Sequence, residues 1–155
     1  MTQPRTVHRR DYRPPSYLVD TVALEFELGE QETIVRSELA MRRNGDHREP
    51  LRLDGQQLEL IALALNGEPL PPEAYRVDAD GLTVAEVPEQ FRLQVTTRIH
   101  PQLNTALEGL YKSGGMFCTQ CEAEGFRRIT YYPDRPDVMA RFRTKIIADR
   151  VRYPV

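Results

Sequence analysis

Between Val22 and Ile99 apolar and polar residues alternate, in short runs broken by turn-forming residues. Successive side chains of an extended chain point to opposite faces, so this period makes half-buried strands and leaves long amphipathic helices no place. Val22, Leu24, Phe26 and Leu28 share one face, with Thr21, Ala23, Glu25 and Glu27 on the other. Gly29-Glu30-Gln31-Glu32 turns the chain into a second run of Thr33, Val35, Ser37, Leu39 and Met41, which Asn44-Gly45-Asp46 ends. Leu51 and Leu53 form a third strand closing at Asp54-Gly55. The leucine-rich stretch from Leu58 to Leu65 suits a helix by composition. Leu58, Leu60, Leu63 and Leu65 also fit alternation, however, and Asn66-Gly67 follows at once, so the hairpin signal predicts a strand. Tyr75 and Val77, a turn at Asp80-Gly81, and Leu82 and Val84 continue the pattern, and Phe91, Leu93, Val95, Thr97 and Ile99 give its cleanest run. The expected fold is mainly all-β: an antiparallel β-sandwich or saddle-shaped sheet.

The flanks differ. Residues 1–16 are basic, contain proline and have no periodicity, so they read as an extended arm, with residues 17–155 as the β domain. After Pro101 the alternation fades. Residues 104–143 are rich in glycine, cysteine and aromatics, which predicts a long irregular loop region after residue 100 on the β scaffold, where binding residues tend to gather. Residues 144–153 alternate again as a strand and then stop at Pro154-Val155. The expectation is a domain truncated at its C-terminal end, taken from the N-terminal part of a larger protein.

A chain of 155 residues can bury one substantial core. Its net charge of -2 gives no electrostatic reason to expect nucleic acid or an anionic membrane as partner. No apolar run reaches the roughly 18 residues of a membrane span, and Met1 to Arg5 lack the apolar segment of a secretory signal. With two cysteines, too few for a disulfide scaffold, the implied compartment is the cytoplasm.

Several motifs invite chemistry and do not complete it. Cys118-Thr119-Gln120-Cys121 is one knuckle, whereas structural zinc needs four ligands, and His8, His47 and His100 lack ligand spacing. No metal site is expected in this chain. A redox pair would sit in a βαβ setting that the strand pattern does not provide, which leaves two reduced, mostly buried thiols. Ser113 is not in a nucleophile elbow, and Gly114-Gly115 is too short for a phosphate loop and reads as a loop tip. Arg127-Arg128 beside Tyr131-Tyr132 reads as packing with ion pairs rather than as a nucleic-acid surface. No catalytic residue is assigned. Gln120 and Glu122 are two residues apart and share a face if extended. A carboxylate so placed suits a cationic group such as a free α-amine, and the amide could line a pocket. Glu108 and Glu124 fit a merely solvated role equally well.

Gly109-Leu110-Tyr111, then Thr119-Gln120-Cys121-Glu122, then the run from Arg127 to Phe142 closely resemble the N-terminal domain of the M1 zinc aminopeptidases, in particular their bacterial branch. Tyr131-Tyr132-Pro133 and Arg135 depart slightly from the family pattern. The resemblance implies a saddle-like β domain that covers the catalytic domain and sends a Gln-x-Glu loop into the active site. It implies that Gln120 lines the pocket for the substrate's first side chain and that Glu122 holds its α-amine. The family's zinc helix, His-Glu-x-x-His, and its Gly-x-Met-Glu-Asn strand are absent, and Gly115-Met116-Phe117-Cys118 is not the latter because Phe follows Met. The chain is thus expected to hold one wall of the site and no cofactor, with zinc in the full-length enzyme. Its partners would be the catalytic domain of the same polypeptide and the N-terminus of a peptide substrate. Two alternatives stand beside this: a stand-alone peptide- or protein-binding β domain without catalysis, and a redox or metal-binding protein using Cys118 and Cys121.

Overall fold

The structure, a computed structural model, describes residues 8–154. Among these, eleven strands follow one another: β1 (Tyr17–Leu28), β2 (Thr33–Arg43), β3 (Leu51–Asp54), β4 (Glu59–Leu65), β5 (Glu68–Pro69), β6 (Tyr75–Asp78), β7 (Gly81–Val84), β8 (Gln90–Ile99), β9 (Gly109–Ser113), β10 (Met116–Gln120) and β11 (Arg141–Ile147). They form an open six-stranded sheet in the order β11-β1-β2-β8-β4-β5, a three-stranded sheet β3-β7-β6 and a hairpin β9-β10. The fold is mainly β, and among the described residues no sheet closes into a barrel. Among the described residues no helix is long and apolar enough to cross a membrane.

The large sheet follows the alternation closely. Thr33, Val35, Ser37, Leu39 and Met41 of β2 and Phe91, Leu93, Val95, Thr97 and Ile99 of β8 all turn inward and are buried. β1 buries Tyr17 and Val19, then Val22, Leu24 and Phe26, a change of parity that a bulge between Val19 and Thr21 absorbs. Leu51, Leu53, Leu82 and Val84 of the small sheet join the same apolar core. Asn66 and Gly67 turn between β4 and β5 with φ of 53° and 89°, the left-handed pair a two-residue hairpin requires.

The flanks depart from expectation. Residues 1–7 and 155 lie outside the described residues. The rest of the arm is not simply extended: Arg9–Asp11 is a 3-10 turn, and the chain after it is tied down. The Tyr12 hydroxyl donates to Asp137 at 3.1 Å, and the Arg135 guanidinium donates to the Arg13 carbonyl at 2.7 Å. The region after residue 100 is less irregular than its composition suggests, since it contains the β9-β10 hairpin with Gly114-Gly115 at its tip.

The last strand also differs. It begins at Arg141 rather than Thr144, and it ends at Ile147 rather than running to Tyr153. Asp149 explains the stop: its carboxylate accepts from the Val151 and Arg152 amides at 2.8 and 3.2 Å, and its carbonyl accepts from the Tyr153 amide at 2.9 Å. A turn of this kind captures the amides a strand would offer to its neighbour. Pairing direction differs as well, because β11 runs parallel to β1 in an otherwise antiparallel structure.

Candidate functional site

The β9-β10 hairpin carries the segment singled out by sequence. Its register sets Gly109 opposite Gln120 and Tyr111 opposite Cys118. Leu110 is buried in the core, and Phe117 and Cys121 pack against it. Gln120, the last residue of β10, and Glu122, in the turn that follows, are both exposed on either side of the partly buried Cys121. The neighbouring acids are committed. Glu108 pairs with Arg128 at 3.0 Å and Glu124 with Arg127 at 3.1 Å. Among the described residues Glu122 has no such ion pair, so its carboxylate is free to meet a cation brought from outside.

The segment behind this pair is braced. The Gly125 amide donates to the Cys121 carbonyl at 2.9 Å and closes the turn that displays Glu122. The 3-10 turn Phe126–Arg128 follows. Arg127 donates to the Asp134 carboxylate from both its backbone amide (3.1 Å) and its Nε (3.0 Å), and from Nη2 to the Asp134 carbonyl at 3.1 Å. The Asp134 amide in turn donates to Asp54 at 2.9 Å, so a hairpin strand end, the loop and β3 are tied together. Arg128 reaches Gln57 at 2.6 Å. Arg127 and Arg128 are therefore internal braces, and Tyr131 and Tyr132 beside them are buried, as the sequence suggests. Burial pushes the Tyr132 hydroxyl up to about 12. Asp54 carries no local sequence signal for this bracing role, because its partner Asp134 is 80 residues away in the chain.

The other side of the hairpin is pinned too. The Lys112 ammonium lies 3.0 Å from Glu30 and 2.9 Å from the Tyr153 hydroxyl, and 4.8 Å from the centre of the Phe117 ring. The Tyr153 hydroxyl, and then Lys112, hold the Glu30 carboxyl down to about 2.

Both thiols are free and half-buried, which is less than the mostly buried state the sequence suggests. Burial, with a smaller contribution from the Asp134 charge, pushes the Cys121 thiol up, the reverse of what a reactive thiolate needs. Among the described residues no three His, Cys, Asp or Glu side chains are grouped to hold a metal ion. His47 and His100 instead contact the carbonyls of Ser16 at 2.8 Å and Gln31 at 3.0 Å. The described residues do not fit a zinc site. An apolar groove of about 510 Å³ runs between the hairpin and the β1-β11 edge, lined in part by Phe117, Cys121, Phe126, Phe142 and Ile146; it does not include Gln120 or Glu122.

Residues 47–153 match the Peptidase M1 N-terminal domain. The chain is 49% identical over 152 residues to aminopeptidase N of Escherichia coli, covering 98% of this chain and 17% of that protein. It is 51% identical over 146 residues to aminopeptidase N of Caulobacter vibrioides, covering 94% of this chain and again 17% of the relative. The crystal structure of Legionella pneumophila aminopeptidase A in complex with aspartic acid matches with a TM-score of 0.89 at 33% identity, over 94% of this chain and 18% of that one. The M1 zinc metallopeptidase of Deinococcus radiodurans, at 21% identity and a TM-score of 0.68 over 86% of this chain and 32% of its own, shares the fold. The chain thus spans about a sixth of the length of the curated relatives it matches. With the family matched over most of its length and the β architecture shared, this chain belongs to the Peptidase M1 N-terminal domain family.

Proposed function

We propose that this domain is the N-terminal, non-catalytic part of a cytoplasmic, zinc-dependent aminopeptidase, and that it presents Gln120 and Glu122 to the substrate's N-terminus. The observation that carries the reading is the uncommitted Glu122 carboxylate: it is exposed two residues after Gln120, while the neighbouring acids Glu108 and Glu124 are ion-paired. The likeness to relatives named aminopeptidase N supports the parent activity. Zinc is assigned to the catalytic domain of the same polypeptide, and no residue of this chain takes part in holding it.

In this reading the Glu122 carboxylate accepts hydrogen bonds from the substrate α-ammonium, and the Gln120 amide lines the space for the first side chain. Docking against the catalytic domain removes water from the pair. A carboxylate facing an ammonium in a dry pocket favours the charged amine and discriminates against blocked or internal peptide positions, where that charge is missing. The domain thereby supplies recognition while the hydrolytic groups lie elsewhere.

The test is Glu122→Gln in the full-length polypeptide, assayed with an aminoacyl chromogenic substrate. The expected result is an increase in KM, with zinc content unchanged. Wild-type kinetics would remove Glu122 from the site.

A further inference from the structure

Three stretches of backbone converge behind Gln120 and Glu122 with no side chain between them. A Cβ on Gly125 would stand 2.5 Å from the Gln120 carbonyl oxygen, 3.0 Å from the Cys121 Cα and 3.1 Å from the Gly109 nitrogen. A Cβ on Gly109 would stand 2.8 Å from the Arg128 Cβ and 3.1 Å from the Gly125 oxygen. Gly109 also pairs with Gln120 across the hairpin and has a φ of 72°. Gly125 has an ordinary helical conformation (φ -86°, ψ -14°), so the need for glycine there is spatial and not conformational. Both glycines are buried.

We infer that Gly109 and Gly125 are positioning residues for substrate recognition: their contact sets the distance of the Gln120 and Glu122 backbone from the braced loop and so fixes where the two side chains point. This rests on the reading of Gln120 and Glu122 as the substrate-binding pair. A methyl group at Gly125 has no flexible side chain to displace, because its near neighbours are backbone atoms. The Gln120 carbonyl must therefore retreat, and Glu122 moves with it. A displacement of about 1 Å at a binding carboxylate is enough to cost an order of magnitude or more in recognition.

The experiment uses the full-length polypeptide and measures kcat and KM for Gly125→Ala, Glu122→Gln and the double variant, with Gly114→Ala as control. Gly114 has a φ of 57° and open space around it, so Gly114→Ala strains the same hairpin at its tip without touching the Gln120 contact. The expected result is a rise of about ten-fold in KM for Gly125→Ala at unchanged zinc content, with Gly114→Ala close to wild type. The double variant should fall clearly short of the product of the two single effects, because part of what Gly125→Ala loses is the Glu122 interaction that Glu122→Gln has already removed. If Glu122→Gln is silent, the reading of the site itself fails. If Glu122→Gln is impaired while Gly125→Ala is silent, or if their effects multiply, the positioning role alone is overturned. Equal KM effects for Gly114→Ala and Gly125→Ala would also overturn it. Should Gly125→Ala not fold, Gly109→Ala takes its place in the same cycle. In the wild type the Gly125 amide should exchange at least a hundred-fold more slowly than those of Gly114 and Gly115, and equal rates would contradict the contact.

Discussion

Phe26 and Ile146 stand opposite each other in the parallel ladder between β1 and β11 and line the same groove, yet Phe26 is 8% exposed and Ile146 is 65% exposed. The edge of the core falls between these two strands. Truncating them should have unequal effects in this chain. Phe26→Ala is expected to destabilise by about 3–5 kcal/mol and Ile146→Ala by no more than about 0.5 kcal/mol. Urea titrations of the two variants check this, and comparable losses would place the edge of the core elsewhere.

Arg127 and Asp134 form the most enclosed ion pair in the loop, with side chains 17% and 10% exposed. Asp134→Ala leaves the guanidinium without its main partner and should cost about 3 kcal/mol. Asp134→Asn keeps the shape and one acceptor and should cost less. Because the Asp134 amide also leads to Asp54, fluorescence-detected unfolding should show both variants losing stability as one cooperative unit. An unchanged midpoint for Asp134→Ala would refute the bracing role.

Acid should loosen the contact between Tyr153 and the hairpin. The Glu30 carboxyl is held from its ordinary value of 4.5 down to about 2 in the folded protein, first by the Tyr153 hydroxyl and then by Lys112. A carboxyl lowered on folding contributes stability that is complete above its unfolded pKa and disappears as pH falls through the folded one. The contribution should therefore fade between about pH 4.5 and pH 2, and Glu30→Gln should flatten that part of the stability profile. Because Glu30 is in contact with solvent, added salt should weaken the effect. An identical profile for Glu30→Gln would show that the cluster adds nothing.

Cys121 should be a slow thiol. Burial raises its pKa, so alkylation at pH 8 should proceed more slowly in the native chain than in urea, by about ten-fold or more. Native reaction at the unfolded rate would reopen the redox reading of Cys118 and Cys121.

The sheet was legible where one face is core and the other water. Thr33 to Met41 and Phe91 to Ile99 show in sequence the same parity they show in burial, and Asn66-Gly67 marks the turn it makes. The hairpin of Gly109 to Gln120 was harder to see, because only Leu110 of its apolar residues reaches full burial and its alternation is correspondingly weak. Alternation at residues 148–153 was misleading, since Asp149 spends those amides on a local turn. Nothing in a two-residue period distinguishes parallel from antiparallel partners, so the union of β11 with β1 had no signature. Gln120 and Glu122 stood out through family resemblance, whereas the glycines behind them become visible only when three backbone segments are seen together.

The union of β1 with β11 also has a consequence for synthesis. One flank of β1 finds β2 within a few residues of its own end, but the other must wait for Arg141–Ile147 to leave the ribosome. A nascent chain that has completed β8 can already assemble β1, β2, β8 and β4, and until β11 arrives β1 is an open edge able to pair with another nascent chain. Closing that edge spans the greatest sequence separation of any strand pairing among the described residues, so it should be the slowest step in completing this sheet.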